Sequence, residues 1–395
     1  MKETKEKIKT LLERGVEEII EIDSLKRKLT SGKKLRVKLG IDPTAPDLHL
    51  GHWVVLKKLK QFQDLGHQVI FLIGDYTGMI GDPSGRSEVR PMLTIDELKE
   101  NEKNYISQAG KVLNIKKVEI RHNSEWYNKK KANFIMEISS KFTYARLVER
   151  DDFKKRIKND VDVSMLELFY PLLQGYDSVE LKADVEIGGT DQKFNLLTGR
   201  KVQKRYNQPQ QDIITVPLLE GTDGVRKMSK SYKNYIAFND SAKEIFGKVM
   251  SLPDGLIWKY YKLVTDIPLD RIKKLKKDVQ IQQANPRDLK ADLAKEVIKI
   301  FYLAKDADQA EQEFNEQFRD KKLPDAIPEL KLEKKKWDLG GLLVKTGLVS
   351  SKSEARLMIE QGAVRINQKK ISQKEITIKA HDIVQVGKRK FVKVK

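Results

Sequence analysis

The 395-residue chain contains no cysteine. Disulfide scaffolds, cysteine-ligated zinc, iron–sulfur clusters and thiol nucleophiles are therefore excluded together. Five histidines are too few for a His-rich metal centre, and no metal-ligand set is expected. Long apolar runs are lacking too: no stretch approaches the ~20 residues that a membrane-spanning helix needs. The opening MKETKEKIKTLLERGVEEIIEI alternates charged and apolar residues with helical spacing and lacks the apolar core of a signal peptide. A cytoplasmic protein is expected. The two common phosphate signatures, G-x-x-x-x-G-K-[ST] and G-x-G-x-x-G after the first strand, are absent, so any nucleotide site is of another kind.

What is present is a foldable and strongly basic chain. Hydrophobic residues make up 39%, enough for real cores, and the length suits two or three domains. The net charge of +20 suits a polyanionic partner, nucleic acid before anionic membrane, and equally a lysine-rich surface that is merely solvated. Residues 331–395 hold 17 basic and 6 acidic side chains, a net +11, whereas the first 330 residues carry only +9. That asymmetry points to a C-terminal module that meets a polyanion.

The first 235 residues alternate strand and helix signals. Leu35 to Ile41, Gln68 to Ile73, Val185 to Ile187 and Ile213 to Val216 read as strands. Leu50 to Leu65 reads as a helix, with Val54, Val55, Leu59 and Phe62 inward and Gly66 just past its end. The pattern predicts an α/β fold: a Rossmann-like parallel sheet with helices on both faces, and ligands at the carboxyl ends of the strands. Residues 236–320 read as helical, most clearly where Asn285-Pro286 caps a stripe of Leu289, Leu293, Val297 and Phe301. A linker rich in lysine and proline is expected over 321–336, and a small α+β module over 337–395.

Two motifs bear on chemistry. After the first strand comes Asp42-Pro43-Thr44-Ala45-Pro46-Asp47-Leu48-His49-Leu50-Gly51-His52. His49 and His52 are three apart at a helix start, where backbone N–H groups favour phosphate, and Gly51 leaves the space between them open to a flat base. An ordinary capped helix start is the alternative. The second motif is Lys227-Met228-Ser229-Lys230-Ser231, entered through Gly221 and Gly224. Its two lysines could close over a triphosphate and neutralise a leaving pyrophosphate; a solvated basic loop is the alternative.

Together, H-x-G-H after the first strand and K-M-S-K-S after the last resemble the signature of class I aminoacyl-tRNA synthetases. The resemblance covers essentially the whole chain and narrows to the bacterial tyrosyl-tRNA synthetases. Tyr170, Gln174 and Asp177 fall on one face of a helix that Ser164 and Glu167 cap. The resemblance implies that Asp177 accepts a substrate phenol, and that Tyr170, Gln174 and Asp82 hold its ammonium. In Gly188-Gly189-Thr190-Asp191-Gln192 it assigns Asp191 to a ribose and Gln192 to the amino acid. It implies ATP as substrate, with Mg²⁺ accompanying it and Asp42, Gly51, His49, His52, Met228, Asp191 and Lys230 around the nucleotide. Lys227, Lys230, His49, His52, Thr44 and Ser229 would serve adenylate formation. Arg86 and Arg90 match positions that contact phosphate or tRNA. The stretch Leu342 to Asn367 resembles the S4-type RNA-binding domain, with Lys345, Lys352, Arg356 and Arg365 presented to RNA phosphates. The expected partners are L-tyrosine, ATP, tRNA(Tyr) and a second copy in a homodimer.

One departure stands out. Where many members carry a tyrosine that also touches the phenol, this chain has Lys38, and Asp75 replaces a small residue. An ion pair between Lys38 and Asp75 beside the phenol pocket is expected. The rival functions are a tryptophanyl enzyme, a small adenylyltransferase sharing H-x-G-H, and a catalytically idle RNA-binding protein on the same scaffold.

Overall fold

A computed structural model describes residues 2–84, 94–318, 327–332, 336–371, 373, 375–387 and 390–395. The chain forms two compact units, 1–310 and 311–395. In the first, six strands make one sheet: β1 (Glu18–Ile20), β2 (Arg36–Ile41), β3 (Gln68–Ile73), β4 (Val118–His122), β5 (Val185–Gly189) and β6 (Asp212–Val216), in the order β1-β6-β5-β2-β3-β4. The strands β2 to β6 run parallel, and β1 closes one edge antiparallel to β6. The chain proceeds outward from β2 through β3 to β4, then returns to β5 and β6 on the other side. Strand order thus reverses between β2 and β5, and a crevice opens beyond their carboxyl ends.

The central strands exist because their apolar runs are buried on both faces: Val69, Ile70, Phe71, Leu72 and Ile73 are all essentially inaccessible. The two edge strands do not stand out in the sequence. β4 is Val-Glu-Ile-Arg-His, half-buried throughout. The helical spacing at the N-terminus ends at Glu13; Gly15 turns the chain at φ +66°, and the charged stretch after it supplies β1.

Helix Leu50–Asp64 ends as the sequence suggests, with Gly66 at φ +87° just beyond it. The expected Ser164–Glu167 capping box opens helix Met165–Glu180. This helix packs on helix Lys193–Arg205 at near-contact of backbones. A Cβ at Gly175 would lie 2.6 Å from Val202 Cγ2 and 3.1 Å from Gly199 Cα. Gly175→Ala is therefore expected to destabilise the protein by about 1–3 kcal/mol, read as a lower midpoint in urea.

Helix Pro286–Ile298 is capped by Asn285 as expected and buries Leu289, Leu293 and Val297. Phe301 falls beyond the helix end, yet its ring packs on Phe238 and Trp53 at 4.7 and 6.0 Å between centroids. These helices belong to the same compact unit as the sheet: the indole of Trp53 donates to the Val264 carbonyl at 2.9 Å.

The second unit has helices Leu339–Lys345 and Lys352–Glu360 packed on a five-stranded sheet and a two-stranded ribbon. Its core includes Leu339, Leu342, Leu343, Val364 and Val384. The expected linker lies largely outside the described residues. Within it, Glu329–Leu330 pairs in parallel with Lys393–Val394, so this piece is a strand of the C-terminal sheet. Lys345, Lys352, Arg356 and Arg365 are all exposed.

Candidate active site

A short backbone pairing brings the two motifs together. Leu50 N donates to the Ile236 carbonyl and Phe238 N to the Leu48 carbonyl, both at 3.0 Å, and His49 bridges Ala237 antiparallel. The Lys227–Ser231 loop sits just before that bridge. Asn234 holds it, accepting from Ser229 N at 2.8 Å and donating to the carbonyls of Arg226 and Lys227 and to Asp223. The crevice between β2 and β5 is a cavity of about 850 Å³. Its wall includes Asp42, Thr44, His49, Gly51 and His52 from one motif and Lys227, Met228 and Ser229 from the other.

The imidazoles cap their own helix reciprocally. His49 Nδ1 accepts from Gly51 N at 3.2 Å, and His52 Nδ1 accepts from His49 N at 3.1 Å. Burial holds both well on the neutral side, His52 down to about 4, with the Lys230 charge adding to it. A neutral ring that accepts through Nδ1 carries its hydrogen on Nε2. The rings, 4.0 Å apart between centroids, thus each offer one N–H donor. A Cβ at Gly51 would lie 2.9 Å from the His49 ring, so this position is closed to larger residues.

The two lysines of the loop point differently. Lys227 reaches across to Asp191, Nζ to Oδ2 2.8 Å. Lys230 does not line the cavity wall; its Nζ is buried without a hydrogen-bond partner among the described residues, and its charge acts on the imidazoles and is favoured by Asp47. Burial lowers Lys230 to about 8. A buried ammonium without an acceptor is a built demand for an anion.

On the other side of the cavity the carboxylates are prepared by their neighbours. Asp177 Oδ1 accepts from the Trp126 indole at 3.0 Å and Oδ2 from the Asn123 amide at 3.4 Å. Burial raises it to about 7, with Lys38 and these donors opposing the rise. Asp42 accepts from Tyr170 at 2.8 Å and from Thr77 at 2.9 Å and is likewise raised by burial to about 7. Tyr170, pushed well above the ordinary phenol value first by burial and then by Asp42, remains a donor. A Cβ at Gly74 would lie 2.0 Å from Asp42 Oδ1, so only glycine lets the end of β3 meet that carboxylate. Asp82 takes the Gln192 amide at 2.6 Å, with Asn195 donating to Gln192 at 3.0 Å.

The expected Lys38–Asp75 ion pair does not form. Asp75 accepts from Ser124 N, Ser124 Oγ and Tyr76 N. Lys38 pairs instead with Glu186, Nζ to Oε1 2.9 Å. The reason is register: Lys38 and Glu186 are direct neighbours on β2 and β5. Glu186, Trp126, Asn123, Asn195 and Asn234 escaped the sequence reading. The hint available for Trp126 and Asn123 was polar residues following a strand, but β4 itself was not legible. Arg86 and Arg90 lie outside the described residues.

Comparison with known proteins identifies the family. Residues 30–319 match the family of class I tRNA synthetases (W and Y), and residues 320–394 match the tyrosine–tRNA ligase SYY-like C-terminal domain. The chain is 50% identical to the tyrosine–tRNA ligase of Carboxydothermus hydrogenoformans, over 97% of this chain and 96% of that one. It is also 50% identical to that of Francisella tularensis, over 100% and 98%. A tyrosyl-tRNA synthetase from Archaeoglobus fulgidus, solved with L-tyrosine, shares the fold at a TM-score of 0.63 and 23% identity, covering 78% of this chain and 99% of that one. Family models that span residues 30–394 and relatives 50% identical over nearly the whole length place the chain in the class I tRNA synthetases, among the tyrosine–tRNA ligases.

Proposed function

We propose that the crevice joins L-tyrosine to ATP and then passes the tyrosyl group to the 3′ end of tRNA(Tyr). The observation that carries this reading is the shared cavity: the imidazole pair, the lysine loop and Asp177 all border one space or press on its edge. In the first step a tyrosine carboxylate oxygen bonds to the α-phosphorus of ATP, the bond to the β-phosphate oxygen breaks, and pyrophosphate leaves. No protein nucleophile is needed, so catalysis is positioning and charge stabilisation.

The neutral imidazoles of His49 and His52 donate to phosphate oxygens, with Thr44 beside them. Lys230 and Lys227 neutralise the departing pyrophosphate, and Ser229 helps shape the loop. Gly51 and Met228 border the base, and Asp42 lies at the nucleotide end of the pocket. Asp191 takes the ribose hydroxyls, which releases Lys227 toward the phosphates. Asp177 receives the phenol, while Tyr170, Gln174, Asp82 and Gln192 surround the ammonium end. Magnesium is expected to enter with ATP. Among the described residues no group of three or more His, Asp or Glu is arranged to hold a metal, and no step here runs through one. In the second step the terminal adenosine hydroxyl attacks the adenylate carbonyl carbon and AMP leaves.

The helices after residue 236 and the basic C-terminal unit meet the tRNA in this reading. Homodimer assembly belongs to it as well: Met136 and Met165 are 72% and 67% exposed in the single chain, near exposed Ile135 and Leu166 in sequence, apolar surface that a second copy would cover. Among the described residues no helix is long and apolar enough to cross a membrane, and we place the protein in the cytoplasm. The test is pyrophosphate exchange into ATP, screened across the amino acids. Exchange that depends on tyrosine is expected; exchange driven by tryptophan, or none, would overturn the reading. Removing residues 320–395 is expected to leave exchange intact and to cut tRNA charging sharply at physiological salt.

A further inference from the structure

We propose that the buried Lys38–Glu186 pair is a positioning device for amino-acid recognition: it dictates which end of the Gln174 amide faces the bound substrate. The inference rests on the reading of Gln174 as a neighbour of the substrate ammonium.

The pair lies in the wall of the cavity, 0% and 1% exposed. Lys38 Nζ gives one hydrogen bond to Glu186 at 2.9 Å, one to the backbone carbonyl of Gln174 at 3.0 Å and one to Ser178 Oγ at 2.9 Å. That accounts for all three ammonium hydrogens. Two of the acceptors belong to the helix turn that carries Gln174 and Asp177. Glu186 in turn receives Ser178 Oγ at 3.2 Å, the Gln211 amide, and Gln174 Nε2 at 3.5 Å.

The polarity of these contacts is what matters. An ionised carboxylate can only accept, so Gln174 must turn its NH₂ toward Glu186. Its carbonyl oxygen then faces away, buried and without a donor among the described residues. Such an acceptor is costly until a donor arrives. A substrate ammonium supplies that donor. Were residue 186 neutral, the amide could turn either way and the oriented acceptor would be lost.

A purely structural pair is the competing explanation, and physics separates the two. Buried ion pairs are commonly replaceable by apolar residues of similar size with little loss of stability, whereas removing one partner is damaging. The double variant Lys38→Met/Glu186→Leu should therefore fold. The single variant Glu186→Gln preserves shape while freeing the amide. Two ligands report on the role: tyrosine, and 3-(4-hydroxyphenyl)propionate, which has the phenol and carboxylate but no ammonium.

In Glu186→Gln the tyrosine KM in pyrophosphate exchange is expected to rise about 10-fold, the size of one lost charge-assisted hydrogen bond. The kcat and the KM for ATP should stay within about twofold, and inhibition by the propionate should be unchanged. The double variant, which also removes the Lys38 charge that favours ionised Asp177, should weaken tyrosine clearly more than the propionate. Equal weakening of both ligands in either variant, or a wild-type tyrosine KM in both, would overturn the proposal. Tyrosine-dependent exchange at saturating tyrosine in these variants keeps the ligase reading standing whichever way the KM falls; its absence in the unmodified protein would remove that reading and this inference with it.

Discussion

Asp177→Ala is expected to cut the preference for tyrosine over phenylalanine about 100-fold, measured as the ratio of kcat/KM in pyrophosphate exchange. A hydrogen bond to a charged group contributes roughly 1.5–3 kcal/mol, and each 1.4 kcal/mol is about a factor of ten. Phenylalanine never makes that bond, so the loss falls on tyrosine alone. The wild-type carboxylate is well suited to the task because Trp126 and Asn123 hold it from one side, leaving its remaining lone pairs for a phenol. An unchanged preference would show that the phenol is read elsewhere.

The same carboxylate carries a cost in stability that grows with pH. Its folded value of about 7 lies above that of an unfolded aspartate. Between roughly pH 4 and 7 the folded protein holds a proton that the unfolded chain has released, so stability falls as pH rises, and the cost is complete above about 7. The near-isosteric Asp177→Asn has no such proton to lose. Its melting temperature is expected to exceed that of the parent at pH 8 and to match it more closely at pH 5. Asp42, raised by burial in the same way, leaves a residual decline in both proteins. Function here holds a charge where folding alone would not keep one.

Lys230→Ala is the second large effect. Loss of one preorganised group that stabilises developing charge typically slows the chemical step about 10²–10³-fold. Adenylate formation in single-turnover experiments should slow by that order, with tyrosine affinity nearly unchanged. The burial that lowers Lys230 to about 8 adds a signature in pH. In the free enzyme the ammonium begins to lose its proton near pH 8, so kcat/KM for ATP should decline above that value. Lys230→Arg keeps its charge at every accessible pH and should lack this limb. Equal losses of tyrosine binding and of rate in Lys230→Ala would point to a damaged fold and away from the phosphate role.

The contrast between the two loop lysines was not visible in K-M-S-K-S itself. Lys227 is tied to Asp191. Lys230 is turned in beside the imidazoles. Spacing alone treats them as equivalent; only the path of the loop, pinned by Asn234, makes them different.

Lys38 shows the opposite limit. Its identity as a departure was plain in the sequence, but its partner was not. Asp75 is the other departure from the family pattern, and it follows β3 on one flank of β2. The carboxylate that Lys38 meets lies on β5, on the other flank of β2. Choosing between those flanks requires the strand order, and no periodicity within a strand contains it.

Local patterns by themselves determined the central strands β2, β3, β5 and β6, the capped helices at Ser164 and Asn285 and the basic C-terminal module, whereas the expected site residues came from the family resemblance. Such patterns are short-range matters: burial periodicity, capping and charge act over a few residues. The tertiary structure alone decided the edge strands β1 and β4, the partner of Lys38, the donors that hold Asp177 and the divergent aims of Lys227 and Lys230. Each of those depends on contacts between segments far apart in the chain, where the outcome is set by which surfaces pack and which buried polar groups must be satisfied together.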